Sequence, residues 1–219
     1  MKVAILDLDN TIVDGESQKS LIKYLYRNGY VNFLIAAKIY FWFILYKLNL
    51  VTKPEKIMRL AFSFLKERKL TDFKNILHSY FESELKNKIF PEAIKIIDEH
   101  KKEGHRVIII SNAIKLLVEE VSDFLGADDC LGSQIETANG VFTGEMLGKP
   151  MYGKNKVEEL KKYFISRKMD SIETWAYSDH HSDLELLAFS SHPIVINPNK
   201  ILASIAKDRN WPSYNFIKR

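Results

Sequence analysis

Two aspartates one residue apart, Asp7 and Asp9, have the types and spacing that chemistry at a strand end requires. They follow the apolar run 3–6, which is typical of a buried strand, and ligands of open α/β sheets bind at the carboxyl ends of parallel strands. One aspartate could act as a covalent nucleophile while the other exchanges protons with the same group. A divalent cation would offset the repulsion between them. On these residues alone, a solvated Asp-x-Asp turn is an equal alternative.

Residues with matching chemistry follow further along the chain. The apolar run 106–110 predicts a second buried strand, which ends at Ser111. Lys156 stands near the start of a predicted helix. A third apolar run leads into Asp179, and Asp183 comes four residues later. These positions predict that one sheet edge collects several charged and polar groups.

The order Asp-x-Asp-x-Thr, strand-Ser, Lys and Ser-Asp-x-x-x-Asp resembles the haloacid dehalogenase superfamily. Within it, the chain is similar to subfamily IB, the phosphoserine-phosphatase-like hydrolases, over nearly its whole length. The resemblance implies an α/β fold with a Rossmann-like three-layer core, a parallel sheet and a helical, C1-type cap inserted after the first strand. It also implies a phosphatase, a phosphoric monoester hydrolase, that uses Mg²⁺. Response-regulator receiver domains place similar residues in another order.

The resemblance implies a role for each matched residue. Asp7 would be the nucleophile that forms an aspartyl-phosphate. Asp9 would protonate the leaving alcohol and then deprotonate the attacking water. Ser111 and the backbone N–H of Asn112 would donate hydrogen bonds to phosphoryl oxygens. Lys156 would screen Asp7 and the phosphate from each other.

The resemblance also implies a magnesium site. Its protein ligands would be Asp7, the carbonyl of Asp9 and Asp179, which are the hard oxygen donors that Mg²⁺ prefers. Asp183 would hydrogen-bond the metal shell or the lysine. Thr11 is grouped with the phosphate-binding residues, and support of the turn is its alternative role.

Several of these residues have competitors. Ser111 could instead cap the helix that follows it. Lys149 and Lys154 compete with Lys156, but we expect them on a solvated loop or at the mouth of the site. The His180-His181 pair could suggest a metal site, yet adjacent histidines rarely converge on one ion, so a loop contact or a solvated pair is the favoured interpretation.

The substrate is expected to be a small phosphorylated metabolite. In phosphoserine phosphatases a glutamate nine residues after the nucleophile binds the substrate ammonium, and Glu16 falls at that position. Arg59 lies about one helical step from the place of the arginine that binds the carboxylate. Glu16 could instead cap the first helix of the insertion. Ser178 stands where the family usually has glycine, and it adds only a hydroxyl.

Segment 30–51 is unusually rich in aromatic and aliphatic residues, although Lys38 and Lys47 break the run that a membrane-spanning helix would need. Burial in the cap, contact with a membrane surface or lipid tail, and a dimer face all remain open. A phosphatase for amphiphilic or lipid phosphates is therefore an alternative function. A phosphotransferase with the same aspartyl-phosphate is another, and a catalytically silent binding protein is a third.

The elements that must position these residues follow from the apolar pattern. We predict a core domain over 1–14 and 86–219 and a helical cap over 15–85. The predicted elements are a first strand over 1–13, helices over 17–84, a helix from 91 through 100, a strand at 106–111, a hairpin around Asn139-Gly140, strands at 173–178 and 193–197, and a helix over 199–209.

Composition is that of a globular enzyme. The chain has 219 residues, is 46% hydrophobic and carries a net charge of +4. This charge is mild, and no motif in the sequence is typical of a nucleic-acid-binding protein. Its one cysteine, Cys130, excludes an internal disulfide framework. Because a strand begins at once, we expect no signal peptide and a cytoplasmic location.

Overall fold

The computed structural model describes residues 1–47 and 63–217, so Arg59 lies outside the described residues. The described part forms one seven-stranded sheet and eight α-helices. The strands are β1 (Lys2–Leu6), β2 (Arg106–Ile114), β3 (Asp129–Ala138), β4 (Val141–Leu147), β5 (Glu173–Ser178), β6 (His192–Ile196) and β7 (Ser213–Tyr214). The helices are α1 (Ser17–Arg27), α2 (Phe33–Lys47), α3 (Leu70–Tyr80), α4 (Pro91–Lys102), α5 (Lys115–Leu125), α6 (Lys154–Ser166), α7 (Leu184–Phe189) and α8 (Lys200–Asp208).

The sheet has the strand order β4-β3-β2-β1-β5-β6-β7. All neighbouring strands are parallel except β3 and β4. At the centre, Leu6 of β1 pairs with Ile109 of β2 and with Tyr177 of β5. The carboxyl ends of β1, β2 and β5 therefore lie side by side at one edge, and the predicted α/β fold with a parallel sheet is confirmed.

Helices cover both faces of the sheet. Because successive strand residues point to opposite faces, Val3 and Ile5 pack into an apolar cluster with α6, α7 and α8. Ala4 and Leu6 pack into the other cluster, with α4 and α5. All four of these β1 side chains are buried, so β1 is the strand around which the three layers are built.

The first strand is shorter than the predicted span 1–13. β1 ends at Leu6, and the backbone N–H of Ile12 then donates to the carbonyl of Leu8 over 2.8 Å. Asn10 has a φ of 55°, a left-handed conformation that asparagine tolerates better than most residues. Asp7 thus continues from the end of the strand, where its N–H donates to the carbonyl of Tyr177 over 2.9 Å, and Asp9 lies in the tight segment that follows.

The predicted hairpin is confirmed, with β3 and β4 joined by Asn139-Gly140. Both turn residues have positive φ values, 52° and 76°. A two-residue turn of this kind matches the right-handed twist of the strands, and glycine at its second position carries no steric penalty.

The helices α1, α2 and α3 come between β1 and α4, as the helical pattern predicts. Leu25, Ile39 and Phe73 from these helices are buried in the same apolar cluster as Leu6 and Val107 of the sheet. The inserted helices therefore extend the apolar core on one face of the sheet rather than enclosing a separate core of their own.

Helix α2 also leaves apolar side chains exposed. Ile39 is fully buried, but Phe33, Leu34, Tyr40 and Phe41 are exposed. Within the described residues, packing in the core thus explains the apolar side chains on only one side of α2. None of the helices in the part of the chain that is described combines the length and the hydropathy that crossing a membrane requires.

Candidate active site

The carboxyl ends of β1, β2 and β5 border a cavity of about 580 Å³. Most of the residues singled out in the sequence meet here: Asp7, Asp9, Glu16, Ser111, Asn112, Lys156, Asp179 and Asp183 line it. The site is therefore assembled from the segment that follows β1, the end of β2, the first turn of α6 and the loop that follows β5.

Lys156 is a buried cation that contacts two carboxylates of the cavity. Gly153, whose φ is positive, precedes α6, and Lys156 lies in the first turn of that helix. Its Nζ donates to Asp7 Oδ1 and to Asp183 Oδ2, each over 2.7 Å. Burial opposes the charge of the ammonium, but Asp183 and Asp7 outweigh it and raise the pKa of Lys156. Lysine thus stays charged while it holds two carboxylates in place.

The cavity holds more carboxylates around Lys156 than one ammonium can neutralise. Burial raises the pKa of Asp7 to about 7, against the opposing attraction of Lys156. Burial and the negative charges of Asp7 and Asp183 raise the pKa of Asp179 to about 8. Four acidic side chains, those of Asp7, Asp9, Asp179 and Asp183, therefore lie near one ammonium group. A further positive charge would reduce the repulsion among these carboxylates.

A magnesium ion fits this donor set. The Asp179 carboxylate accepts no hydrogen bond within the described residues, and Asp183 Oδ1 is buried without a partner there. Unpaired buried carboxylate oxygens are costly, and they are the ligands that Mg²⁺ prefers. Asp7, Asp179 and the carbonyl of Asp9 are the groups that would hold the ion.

Asp9 is fixed by the first inserted helix. Its Oδ1 accepts the backbone N–H of Ser17 over 2.8 Å, at the N-terminus of α1. Burial raises the pKa of Asp9 to about 6, while this hydrogen bond lowers it. Glu16 makes no capping hydrogen bond to α1, so the capping role that was its alternative is wrong, and its carboxylate pairs with Lys19 instead.

Ser111 and Asn112 lie near the end of β2. The Oγ of Ser111 accepts the backbone N–H of Ala113 over 3.0 Å and is buried at the cavity. Helix α5 begins at Lys115, and its N-cap residue, Ile114, provides no side-chain cap. The interpretation of Ser111 as a helix cap is therefore wrong.

Ser178 does more than occupy the place of a glycine. Its Oγ donates to Asp183 Oδ2 over 2.8 Å, and the residue is fully buried. The same Asp183 oxygen accepts the Lys156 ammonium. The expectation that Ser178 adds only a hydroxyl thus missed a hydrogen bond that helps to orient Asp183.

The competing lysines lie elsewhere. Lys149 is exposed and pairs with Glu158 over 3.3 Å, and Lys154 is not among the residues that line the cavity. Thr11 does not line the cavity either: its hydroxyl is buried and has no hydrogen-bond partner in the described residues. The structure therefore does not place Thr11 where a phosphate-binding residue would stand.

The adjacent histidines border the cavity through hydrogen bonds of their own loop. His180 Nδ1 accepts the backbone N–H of Ser182 over 3.2 Å, and His181 Nδ1 lies 2.8 Å from Asn199 Nδ2. This agrees with the loop-contact interpretation.

Asn199 and Tyr152 also line the cavity and were missed in the sequence. The Asn-Pro-Asn segment before α8 was a signal for Asn199, because asparagine is a preferred N-cap residue. In the structure its side chain accepts the N–H of Leu202.

Comparisons with known proteins agree with this geometry. A family model described as haloacid dehalogenase-like hydrolase matches residues 4–188. A histidinol-phosphatase of Neisseria meningitidis is 25% identical over 218 residues, which cover 98% of both chains. The phosphoserine phosphatase SerB1 of Mycobacterium tuberculosis is also 25% identical over 218 residues, which cover 97% of this chain and 70% of that protein.

Solved structures show the same fold. A protein of unknown function from Bordetella pertussis Tohama I superposes with a TM-score of 0.90 at 18% identity, covering 97% of both chains. A phospho-aspartyl intermediate analogue of phosphoserine phosphatase superposes with a TM-score of 0.69 at 17% identity, covering 99% of this chain and 94% of that one.

Proposed function

The chain belongs to the haloacid dehalogenase-like hydrolase family and is a phosphatase, and we propose that it is a Mg²⁺-dependent phosphomonoesterase. Its substrate would be a small phosphorylated metabolite, cleaved through an aspartyl-phosphate. One observation carries the proposal: Lys156 holds Asp7 beside Asp9 and Asp179 at the carboxyl edge of the sheet.

The proposed reaction has two steps at Asp7. An Asp7 oxygen forms a bond to phosphorus while the bond from phosphorus to the ester oxygen breaks, and Asp9 gives its proton to that oxygen. Asp9 then takes a proton from water, whose oxygen displaces Asp7 from phosphorus and releases inorganic phosphate. A pKa of about 6 suits Asp9 to both proton transfers near neutral pH. When bound, Mg²⁺ would supply positive charge to the phosphoryl oxygens.

Other residues of the cavity would position the phosphoryl group. Lys156 keeps Asp7 aimed and offsets charge, and Ser111 and the backbone N–H of Asn112 would donate to phosphoryl oxygens. Asp183, which accepts the Ser178 hydroxyl, also accepts the Lys156 ammonium and helps to orient it. We propose that residues 15–85 act as the cap over this edge, with 1–14 and 86–219 as the core domain.

The cavity favours a small substrate that carries a positive charge. Its volume of about 580 Å³ lies within the usual range for small-molecule sites. Glu16 adds a further carboxylate to its wall. The relatives are named for histidinol phosphate and phosphoserine, both of which carry an ammonium, so we propose that Glu16 exchanges its pairing with Lys19 for one with a substrate ammonium.

An amphiphilic phosphate is the second candidate. The exposed Phe33, Leu34 and Phe41 of α2 form an apolar surface on the proposed cap. This candidate rests on that surface alone, because no described residue of α2 lines the cavity.

Phosphate release tests the proposal. The purified protein is assayed with Mg²⁺ on phosphoserine, histidinol phosphate, a lysolipid phosphate and para-nitrophenyl phosphate. We expect Asp7→Asn to lose turnover, because the amide is nearly isosteric but cannot attack phosphorus. Asp170→Asn, a change at an exposed aspartate, is the control and should keep full activity. Substantial turnover by a pure Asp7→Asn preparation would refute the covalent mechanism.

A further inference from the structure

A second cluster of possible metal ligands lies at the edge of the sheet opposite the cavity. His100 stands near the end of α4, Glu103 follows that helix, and His105 directly precedes β2. One ligand atom from each of the three lies within 4.8 Å of the others. The catalytic carboxylates follow the carboxyl ends of the parallel strands, whereas this cluster adjoins the amino end of β2. The two sites are therefore separate.

Both imidazoles are buried and closely packed. His100 is 7% exposed and His105 is 5% exposed. Their Nδ1 atoms are 2.7 Å apart, and His100 Nε2 lies 2.7 Å from the hydroxyl of Tyr177. The ring of His105 stacks on Trp175 with a centroid distance of 4.6 Å. These contacts orient both rings toward each other and toward the loop that carries Glu103.

A hydrogen bond between the two histidines does not give every ring nitrogen a partner. One proton between the two Nδ1 atoms satisfies that contact, and Tyr177 satisfies His100 Nε2. His105 Nε2 remains buried without a hydrogen-bond partner in the described residues, and Glu103 Oε2 lies 3.4 Å from it. A buried ring nitrogen that makes only a long approach to a carboxylate, and no hydrogen bond in the described residues, is a costly arrangement for a purely structural cluster.

We propose that His100, Glu103 and His105 form a second metal site, for Zn²⁺ or a similar divalent transition ion. Two imidazoles and one carboxylate are a common zinc ligand set, in which water takes the fourth position. Imidazole nitrogen suits zinc, whereas Mg²⁺ prefers oxygen ligands.

The spacing of the donor atoms supports this assignment. Tetrahedral zinc with bonds of about 2.0 Å keeps its ligand atoms about 3.3 Å apart. Glu103 Oε2 lies 3.4 Å from the His105 ring, and the two Nδ1 atoms, which are 2.7 Å apart, must separate by about 0.6 Å to admit an ion between them. Because Tyr177 occupies His100 Nε2 and fixes that ring from outside the site, His100 would bind the ion through Nδ1, with the ion displacing the proton that this atom shares with His105 Nδ1.

A bound ion would join the end of α4 to the start of β2 and thereby stabilise the folded chain. This role does not depend on the proposed phosphatase activity.

Zinc binding to the full chain tests the proposal. The protein is first saturated with Mg²⁺, and Zn²⁺ is then titrated against a chromophoric chelator. We expect one equivalent to bind and the melting temperature to rise. Glu103→Gln should weaken zinc binding at least about tenfold and abolish the rise in melting temperature, because loss of even an outer partner of a metal ligand costs that much. The Glu103 side chain is 67% exposed, so this variant should fold normally.

Two controls separate this site from other carboxylates. Glu99→Gln removes an exposed carboxylate one turn earlier on α4 and should bind zinc as the unchanged protein does. Asp179→Asn removes a carboxylate of the catalytic edge and should also retain the zinc. The proposal is overturned if no zinc binds to the Mg²⁺-saturated protein, if Glu103→Gln binds it equally well, or if Asp179→Asn loses it.

Discussion

Replacing Ser178 with alanine should destabilise the protein by more than the loss of an ordinary hydroxyl. The Ser178 hydroxyl is fully buried and donates over 2.8 Å to a carboxylate that also accepts Lys156. A hydrogen bond to a charged group contributes about 1.5–3 kcal/mol. In a domain of this size each kcal/mol lowers the melting temperature by about 2–4 °C. We therefore expect Ser178→Ala to melt about 3–12 °C lower.

Thermal unfolding followed by circular dichroism measures this effect. Ser166→Ala is the matched control, because the Ser166 hydroxyl also makes a 2.8 Å hydrogen bond, but to the neutral carbonyl of Tyr163 at a partly exposed position. Its loss should cost at most about 1 kcal/mol, since water can replace the bond. If the two variants melt at the same temperature, Ser178 does not donate to a buried charge, and the account of Asp183 as an oriented carboxylate fails.

Three further predictions concern the metal, the substrate and the cysteine. Phosphate release should require Mg²⁺, stop in excess chelator and be inhibited by Ca²⁺, whose looser coordination would misaim Asp7; full activity after extended dialysis against chelator would contradict this. Glu16→Gln should lower kcat/KM for phosphoserine about 10- to 100-fold while para-nitrophenyl phosphate, which has no ammonium, is hydrolysed as before; equal losses on both would make Glu16 structural. Burial raises the pKa of Cys130 to about 12, so a thiol reagent at neutral pH should modify it in denaturant but hardly at all in the native protein.

The elements that carry the site were predictable because each has a local signal. Alternating or continuous apolar runs mark the strands, and Asn139-Gly140 marks the hairpin through its backbone conformation. The spacing of Lys156 from the apolar helix positions likewise indicated its place in the first turn of α6. Such signals depend on residues only a few positions apart.

The contacts that were missed depend on how separate elements are placed in space, even where the residues are close in sequence. The 2.8 Å bond from Ser178 to Asp183 depends on a short helical turn at 181–183, which the sequence did not reveal. The His100–His105 contact and its extension to Tyr177 depend on how α4 packs against β2 and β5. Apolar periodicity predicts which side chains are buried, but not which polar atoms meet there.

The hydrogen bonds of Asp9 show that the insertion contributes to the chemistry of the sheet edge. The N–H of Ser17 that binds the Asp9 carboxylate belongs to the first turn of α1, where the helix dipole also favours negative charge. Tyr80, at the end of α3, donates to the carbonyl of the same Ser17 over 2.9 Å. If α1 moves away from the sheet, the hydrogen bond from Ser17 to Asp9 therefore either breaks or moves with the helix. This bond lowers the pKa of Asp9. Ser17 thus couples the proposed proton donor to the proposed cap, and substitutions that loosen α1 should alter acid–base catalysis as well as substrate selection.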